Sequence, residues 1–317
     1  MNRKTMVHNM TTYHPHIPVL LNESVDALIT DTEGLYIDGT LGGGGHSKEI
    51  LNNLGENGRL YGIDQDDEAL EEASSRIGDD PRFTTIKGNF GYLATLIPPQ
   101  EHGQVAGILL DLGVSTHQIK EAERGFSFQE DGPLDMRMGK FSGISAYQVV
   151  NEYSYEKLRD IIFHYGEEKQ SRPIARAIIE NRPLETTGEL RKVVSSVVNN
   201  RYEVKSLARV FQGIRIEVNR ELDMLKSVLQ ESLEVLKPGG RIVAISYHSL
   251  EDRLVKRFFK AGNFEGKIEK DFYGNPLSPI EPVNKQVITP SEKEVSDNPA
   301  ARSAKLRIAE KTEGGGE

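Results

Sequence analysis

Three short apolar runs in the first third of the chain each end in an aspartate, and this repeat leaves few folds open to the sequence. The runs span residues 35–38, 60–64 and 108–111. Segments with helical periodicity, residues 47–54 and 67–77, lie between them. Such alternation indicates right-handed βαβ units, and therefore a parallel sheet with helices on both faces. Ligands of these sheets bind at the carboxyl ends of the strands, where the three aspartates lie.

The alternation ends after residue 114, and helical patterning alone follows as far as residue 236. Two capping boxes mark helix starts, one at Ser145 with Gln148 and one at Thr186 with Glu189. Residues 218–236 have the period of one long amphipathic helix. This part of the chain is therefore predicted to be an all-helical insertion.

A strand pattern returns at residues 241–247, so the α/β sheet domain is predicted to be discontinuous. Two further apolar runs, residues 286–289 and 304–309, predict an antiparallel pair at the sheet edge. The predicted bounds are 1–117 and 216–317 for the sheet domain, 118–215 for the helical insertion, and 1–13 and 311–317 for flexible tails.

Composition excludes several classes of protein. The chain has no cysteine, which rules out disulfides, thiolate nucleophiles and cysteine-ligated metal sites. It has no apolar run of the roughly 18 residues that a membrane span needs, and no signal-peptide pattern, so we expect a cytoplasmic protein. Its net charge is −9, yet residues 169–215 carry ten cations against four anions. A basic segment inside an acidic chain is therefore a candidate contact for an anionic partner, although such runs are often only a solvated face.

A glycine-rich loop, residues 38–46, follows the first strand and opens a helix. Its bare backbone can approach a ligand closely and offer N–H groups. The dinucleotide pattern G-x-G-x-x-G is absent, which disfavours an oxidoreductase. The looser methyltransferase pattern, acidic-x-G-x-G-x-G, matches at Asp38, Gly42 and Gly44, with Thr40 in place of its first glycine. We interpret the loop as a cofactor site, and a plain turn between strand and helix is the alternative.

Two residues after the next strands are candidates for the rest of a cofactor site. Asp64 ends the second strand, where a carboxylate can accept hydrogen bonds from both hydroxyls of a ribose. Its alternative role is the N-cap of the following helix. Phe90 follows the third strand and could contact an adenine, although a lone phenylalanine is as often part of the core.

Polar residues also follow the fourth and fifth strands. Asp111 lies where a substrate would meet the cofactor, and Tyr247 and His248 open a polar run that ends at Arg253. A serine hydrolase is disfavoured because the nucleophile elbow G-x-S-x-G is missing. Helix capping is the alternative role for this run. His46 has no spaced partner, so we predict no metal site.

The combined motifs resemble the ribosomal RNA small-subunit methyltransferase H family, also called the MraW methylases. The resemblance covers nearly the whole chain and includes several family-specific segments. These are residues 16–20, 38–47, 62–66, 111–114, 123–128, 132–138, 166–168, 211–212, 247–253 and 298–305. His117 departs from the family pattern, which often has proline there.

The resemblance implies a fold and a reaction. The fold would be a Rossmann-like class I methyltransferase sheet with an inserted helical domain for substrate recognition. The reaction would transfer a methyl group from S-adenosylmethionine to N4 of a cytidine in the decoding region of 16S ribosomal RNA. The partner would be 16S ribosomal RNA or the small subunit, with no membrane, and the chain would be a monomer or a homodimer.

The resemblance also assigns site residues. The residues implied for the cofactor are Gly44, Gly45, His46, Asp64, Phe90, Asp111 and Gln118. The candidates for catalysis are Asp111, Asp135, Arg137, Tyr247 and His248. Alternatives are an amino-methyltransferase that acts on another RNA or on DNA, and a non-catalytic RNA-binding assembly factor. The basic segment, residues 169–215, would then form the RNA face.

Overall fold

The computed structural model describes residues 18–114, 118–119, 121–139 and 143–313. His117 and the predicted N-terminal tail lie outside the described residues, as do residues 314–317 of the predicted C-terminal tail. The strands are β1 (Leu35–Asp38), β2 (Arg59–Asp64), β3 (Phe83–Lys87), β4 (Val105–Asp111), β5 (Leu236–Ser246), β6 (Ile280–Pro282) and β7 (Lys305–Lys311).

The helices include α1 (Leu21–Leu28), α2 (Gly45–Asn53), α3 (Asp67–Ile77) and α4 (Leu93–Leu96), which precede β4. The helices described between β4 and α10 (Glu221–Val235) include α5 (Ala146–Glu152), α6 (Tyr155–His164), α7 (Ser171–Glu180), α8 (Thr187–Val197) and α9 (Glu203–Asn219). After β5 come α11 (Ser249–Ala261) and α12 (Glu292–Asp297).

All seven strands form one sheet in the order β3-β2-β1-β4-β5-β7-β6. Strands β1 to β5 are parallel, whereas β7 is antiparallel to both β5 and β6. The sheet order reverses between β1 and β4, since β2 and β3 lie on one side of β1 and the later strands lie on the other. Such a switch point is the usual ligand site of open α/β sheets. We call the edge where β1, β2, β4 and β5 end the carboxyl edge.

Apolar side chains cover both faces of the sheet. One face packs against α10 and α11 through residues such as Val228 and Phe258, and the other packs against α1 and α2 through Leu28 and Ile50. A third buried cluster lies in the helical part of the chain, with Ile162 and Ile178 among its members. The predicted α/β fold is confirmed, and the described residues between β4 and β5 contain no strand.

Several sequence expectations need correction. The helix predicted over residues 218–236 is α10, but it begins three residues later, at Glu221, because Arg220 adopts a left-handed conformation (φ 51°) that separates it from α9. The predicted domain boundary at residue 215 falls inside α9. The strand predicted over residues 286–289 is wrong: only Ile288 forms an isolated bridge, to Leu306.

The remaining predictions of elements fit better. Helix α3 has the predicted bounds, and both predicted capping boxes are present. Strand β7 extends to Lys311, so the predicted start of the C-terminal tail at residue 311 is wrong by one residue. No helix among the described residues combines the length and apolar character needed to cross a membrane.

Candidate active site

The glycine loop lies at the carboxyl edge and is held by both neighbouring strands. Gly39 N–H donates to the carbonyl of Leu109 in β4, and Leu41 N–H donates to that of Ile63 in β2. Gly42 and Gly44 have φ angles of 48° and 73°, a conformation that favours glycine. A Cβ at Gly44 would lie 2.9 Å from the Cβ of Ala73 in α3. The glycines therefore let the loop turn sharply and let α3 pack against it.

Asp38 and Thr40 fix the base of this loop. Asp38 is buried, and its carboxylate accepts hydrogen bonds from the Thr40 N–H at 3.2 Å and the Ser47 hydroxyl at 2.7 Å. Burial raises the pKa of Asp38 above its ordinary value. Thr40 Oγ1 accepts a 2.6 Å hydrogen bond from the N–H of Asp111. The threonine that replaces the first glycine of the motif thus joins the loop to the end of β4.

Asp64 faces the glycine loop from the end of β2. Its Oδ2 accepts a hydrogen bond from Gly42 N–H and its Oδ1 accepts one from Asp66 N–H, both at 2.9 Å. Burial raises its pKa and outweighs these hydrogen bonds, which lower it. Asp66, rather than Asp64, caps α3 by accepting a hydrogen bond from Glu68 N–H. The alternative that Asp64 is the N-cap is therefore wrong, and its carboxylate orders the loop.

Asp111 ends β4 beside His46 and Tyr247. The Tyr247 hydroxyl donates to Asp111 Oδ1 at 2.8 Å, and His46 Nδ1 lies 3.8 Å from Asp111 Oδ2. His46 Nε2 lies 3.1 Å from the carbonyl of Val19, so that nitrogen carries the proton. Burial lowers the pKa of His46, which keeps the ring neutral at pH 7. Burial, with the charge of Asp111, raises the pKa of Tyr247, so its hydroxyl stays protonated. Asp111 is therefore a carboxylate held by a neutral donor.

Arg124 joins the predicted cofactor and acceptor sides. It is buried, and its Nη1 donates to Asp66 Oδ2 at 2.7 Å. Its Nη2 donates to the carbonyls of Arg137 and Met138. Gln118 is also buried, with its Nε2 3.5 Å from the same oxygen of Asp66. Gln118 and the loop that contains Arg137 are therefore both connected to the cap of α3.

Asp135 and Arg137 form a paired group in this loop. Arg137 Nε and Nη2 donate to the Asp135 carboxylate at 3.0 and 2.6 Å, and both side chains are partly exposed. Asp135 raises the pKa of the Arg137 guanidinium through these hydrogen bonds. Asp135 and Arg137 form the ion pair that a surface role would require. The pair also lies next to Arg124, which donates to the carbonyls of Arg137 and Met138.

His248 lies at the start of α11, where it acts as the N-cap. The N–H groups of Tyr247 and His248 both donate to Glu251 Oε2, and His248 Nε2 lies 3.0 Å from Glu251 Oε1. Ligand atoms of Glu221, His248 and Glu251 lie within 4.8 Å of one another. Arg215 donates to both oxygens of Glu221, at 2.8 and 2.9 Å. We interpret this cluster as a set of contacts that fixes the start of α11 rather than as a metal site, because Arg215 already neutralises the Glu221 carboxylate.

Phe90 follows β3 and is partly buried against the core cluster on the α10 face. The preceding Asn89 caps the short turn there and donates to Gln65 Oε1 at 3.2 Å. Phe90 can pack against the core and also contact the ring of a bound ligand, because part of its side chain stays exposed.

The profile of the MraW methylase family matches residues 13–312. The chain belongs to this family. A ribosomal RNA small subunit methyltransferase H from Bacteroides fragilis (strain YCH46) is 52% identical over 309 residues, which cover 96% of this chain and 100% of that protein. The protein of the same name from Flavobacterium johnsoniae is 51% identical over 304 residues, covering 95% and 99%. A solved rRNA methylase from Streptococcus thermophilus is 12% identical, with a TM-score of 0.38 and coverage of 92% and 94%.

In this MraW family member, the sheet brings together the predicted residues of the loop and of the strand ends. These are Gly44, Gly45, His46, Asp64, Asp111 and Tyr247. Gln118, Asp135 and Arg137 connect to them through Asp66 and Arg124. Sequence reasoning noted Thr40 only as a departure from the glycine motif and gave no role to Arg124 or Glu251, although all three lie within segments that carry the family resemblance.

Proposed function

We propose that this chain methylates N4 of a cytidine in the decoding region of 16S ribosomal RNA, with S-adenosylmethionine as the methyl donor. Family membership supports a methylase, and full-length relatives named as ribosomal RNA small subunit methyltransferases support the RNA. The N4 position and the decoding region rest on the resemblance of the motifs. The observation that carries the proposal is the glycine loop, with Asp64 and Asp111 on the adjacent strands.

The residues at the carboxyl edge fit the methyl donor. Within the described residues, α2 begins at Gly45 with no side-chain cap, so its first N–H groups suit the carboxylate of an amino acid. Asp64 would accept hydrogen bonds from a ribose, and Phe90 would contact the adenine. When bound, S-adenosylmethionine would supply a methyl group to the amine nitrogen in line, with sulfur keeping the electrons of the broken C–S bond and one amine proton released to solvent.

Asp111 is the residue that we assign to the acceptor. The N4 lone pair of cytosine is delocalised into its ring, and a carboxylate that accepts one amine hydrogen favours the pyramidal nitrogen that attacks. Tyr247 holds this carboxylate in place. His248 caps α11, so we assign it a positioning role. Asp135 and Arg137 would contact the substrate from the helical side.

The basic segment supplies a face for the RNA. Seven of its cations are exposed: Lys169, Arg172, Arg176, Arg191, Lys192, Arg201 and Lys205. Two others are used inside the protein, since Arg182 donates to the carbonyls of Val150 and Tyr153, and Arg215 pairs with Glu221. A base must leave its stack to reach the donor, and contacts to the flanking strand would offset that cost of a few kcal/mol.

Transfer of labelled methyl from S-adenosylmethionine tests this function. Small ribosomal subunits, naked 16S RNA and double-stranded DNA are offered in parallel. We expect label in small-subunit RNA and none in DNA. Label in DNA alone would support a DNA methyltransferase instead, and no label in any substrate would support a non-catalytic assembly factor.

A further inference from the structure

A surface pocket of about 330 Å³ lies in the helical part of the chain, away from the residues assigned to catalysis. We call it the Tyr202 pocket. It is formed where the start of α9 meets the segment between α6 and α7. Its lining residues are Glu168, Lys169, Gln170, Tyr202, Lys205, Ser206 and Arg209.

Tyr202 gives the pocket an aromatic wall. Its side chain is 53% exposed, and the guanidinium of Arg201 lies 5.6 Å from its ring centroid. An exposed tyrosine beside cations is the arrangement on which single-stranded bases stack. Lys169 and Lys205 are both exposed at the same pocket, and ammonium groups there can contact phosphates.

Glu168 supplies a second and independent feature. It is only 3% exposed, and its Oε1 accepts a hydrogen bond from Gln170 N–H. Its Oε2 has no hydrogen-bond partner among the described residues, and the Arg209 Nη1 lies 3.5 Å away. A buried acceptor without its hydrogen bond is costly. The exocyclic amine of adenine, cytosine or guanine could supply the missing donor.

The pocket is connected to the carboxyl edge of the sheet. Glu167, next to Glu168 in the chain, accepts hydrogen bonds from the Ser249 hydroxyl and from Arg253 Nη2. Ser249 opens α11 directly after Tyr247 and His248. An RNA strand that runs from the Asp111 site past the start of α11 would therefore reach the Tyr202 pocket.

We propose that the Tyr202 pocket binds one unpaired nucleotide of the RNA that flanks the target cytidine. The base stacks on Tyr202, its exocyclic amine donates to Glu168 Oε2, and neighbouring phosphates contact Lys169 and Lys205. This inference rests on the proposed function, since it takes the ligand to be RNA.

Binding of a fluorescent adenosine oligonucleotide, of about ten residues, tests the stacking contact. We expect Tyr202→Ala to weaken binding about tenfold and Tyr202→Phe to retain it, because stacking needs the ring alone. The matched control is Tyr273→Ala. Tyr273 is 86% exposed, but it lies in the connection from α11 to β6 and does not line the pocket, so this variant should bind as wild type does. Unchanged binding by Tyr202→Ala would overturn the proposal.

The same assay separates the other contacts. Lys205→Ala should reduce the slope of log affinity against log salt by about 0.7, whereas the exposed Lys260→Ala at the far end of α11 should not. A purine riboside oligonucleotide, which lacks the amine, should bind more weakly than adenosine to the wild type. Equal binding of the two would remove Glu168 from the site.

Methyl transfer to small subunits distinguishes failure of this inference from failure of the proposed function. Tyr202→Ala should raise the KM for the subunit about tenfold and leave kcat unchanged, because the pocket does not touch the reacting atoms. If the KM of Tyr202→Ala is unchanged while the wild type still transfers methyl, the pocket proposal is wrong and the proposed function is not affected. Absence of transfer by the wild type overturns the function, whatever the oligonucleotide assay shows.

Discussion

The Asp111 carboxylate is fixed from two directions before any substrate arrives. The backbone N–H of Asp111 donates to Thr40 Oγ1, and Asp111 Oδ1 accepts a hydrogen bond from the Tyr247 hydroxyl. Both the backbone and the side chain of Asp111 are therefore oriented. Holding an acceptor and donor in reacting geometry is the main contribution a protein can make to an in-line methyl transfer. Small losses of orientation at Asp111 should therefore affect the rate more than the binding of the cofactor.

Tyr247→Phe tests this orientation. The variant removes only the hydroxyl that donates to Asp111, so we expect kcat for methyl transfer to fall about tenfold, or about 1.4 kcal/mol. Affinity for S-adenosylhomocysteine, measured by calorimetry, should stay within about threefold. Tyr273→Phe is the control, because that side chain is 86% exposed in the connection from α11 to β6 and contacts none of the site residues described above. Wild-type kcat in Tyr247→Phe would show that the hydroxyl does not position the acceptor.

Asp64→Asn tests the cofactor side. The substitution keeps the size of the side chain but removes the charge, so a ribose would lose a charge-assisted hydrogen bond, worth about 1.5–3 kcal/mol. We expect the affinity for S-adenosylhomocysteine to fall about 10- to 100-fold in calorimetry. Asp67→Asn changes an exposed carboxylate three residues away and should leave it unchanged. Equal affinities in both variants would remove Asp64 from the site.

Individual residues were predictable where the fold alone determines their position. Asp38, Asp64 and Asp111 end parallel strands, so the sequence places all three at one edge. Thr40 and Arg124 were not predictable in this way, because their roles depend on partners 71 and 58 positions away. No local pattern encodes such distant contacts.

At the scale of elements, the glycine loop and α3 depend on each other. Gly44 has a positive φ, and its Cα faces Ala73 of α3 too closely for a side chain. Gly103 also has a positive φ, of 74°, but no atom lies within 4 Å of the position of its Cβ. Comparing the same substitution at the two glycines therefore separates the cost of backbone strain from the cost of disturbed packing.

Gly44→Ala should destabilise the protein more than Gly103→Ala. Both variants pay the strain of a left-handed residue, about 1–2 kcal/mol, but only the first also pushes α3 away from the loop. We expect a larger loss in urea unfolding for Gly44→Ala, together with weaker binding of S-adenosylhomocysteine. Equal losses of stability and unchanged cofactor affinity would contradict the packing argument.

An ion-paired carboxylate joins α11 to β7. Asp252 accepts hydrogen bonds from Arg307 Nε at 2.7 Å and Lys305 Nζ at 3.2 Å. Burial raises the pKa of Asp252, but these two partners outweigh burial, so the pKa lies below its ordinary value. A lowered pKa in the folded state means that the stabilisation is present above the unfolded pKa of about 4 and is lost as pH falls below it.

Asp252→Asn should therefore lower the free energy of unfolding by about 1–3 kcal/mol near pH 7. The gap between variant and wild type should shrink as the pH falls toward about 3, since below about 4 the carboxylate of the unfolded chain takes up a proton more readily than that of the folded chain. Urea unfolding at both pH values measures the gap. Asp26→Asn, at an exposed position of α1, should show a small gap at either pH. A gap for Asp252→Asn that is equal at both pH values would contradict the assignment.

Elements were predictable where local chemistry sets their bounds. The caps of α5 and α8 are encoded within four residues, and both were found as predicted. The division between α9 and α10 was not, because Arg220 is an ordinary helix former and no local pattern in the sequence marks its left-handed conformation. The strand predicted over residues 286–289 was also wrong, because Ile288 pairs with Leu306 through a single isolated bridge.

At the scale of the whole molecule, the helical part and the sheet meet near the carboxyl edge. Arg124 of the helical part contacts Asp66, which follows β2, and Glu167 of the helical part contacts Arg253 of α11. The helical part has its own buried cluster, which extends to Val218 in α9, and the division into two domains stays a prediction. A substrate bound between them would touch residues of both.

Nucleoside analysis of the methylated RNA shows which atom receives the methyl group. Small ribosomal subunits from cells that lack this chain are incubated with the protein and S-adenosylmethionine with a deuterated methyl group, and the RNA is digested and analysed by mass spectrometry. We predict the label in N4-methylcytidine, with a more than tenfold slower appearance for Asp111→Asn. Label at carbon 5 of cytosine, on a ribose or on adenine would contradict the account, as would an Asp111→Asn variant that reacts at the wild-type rate.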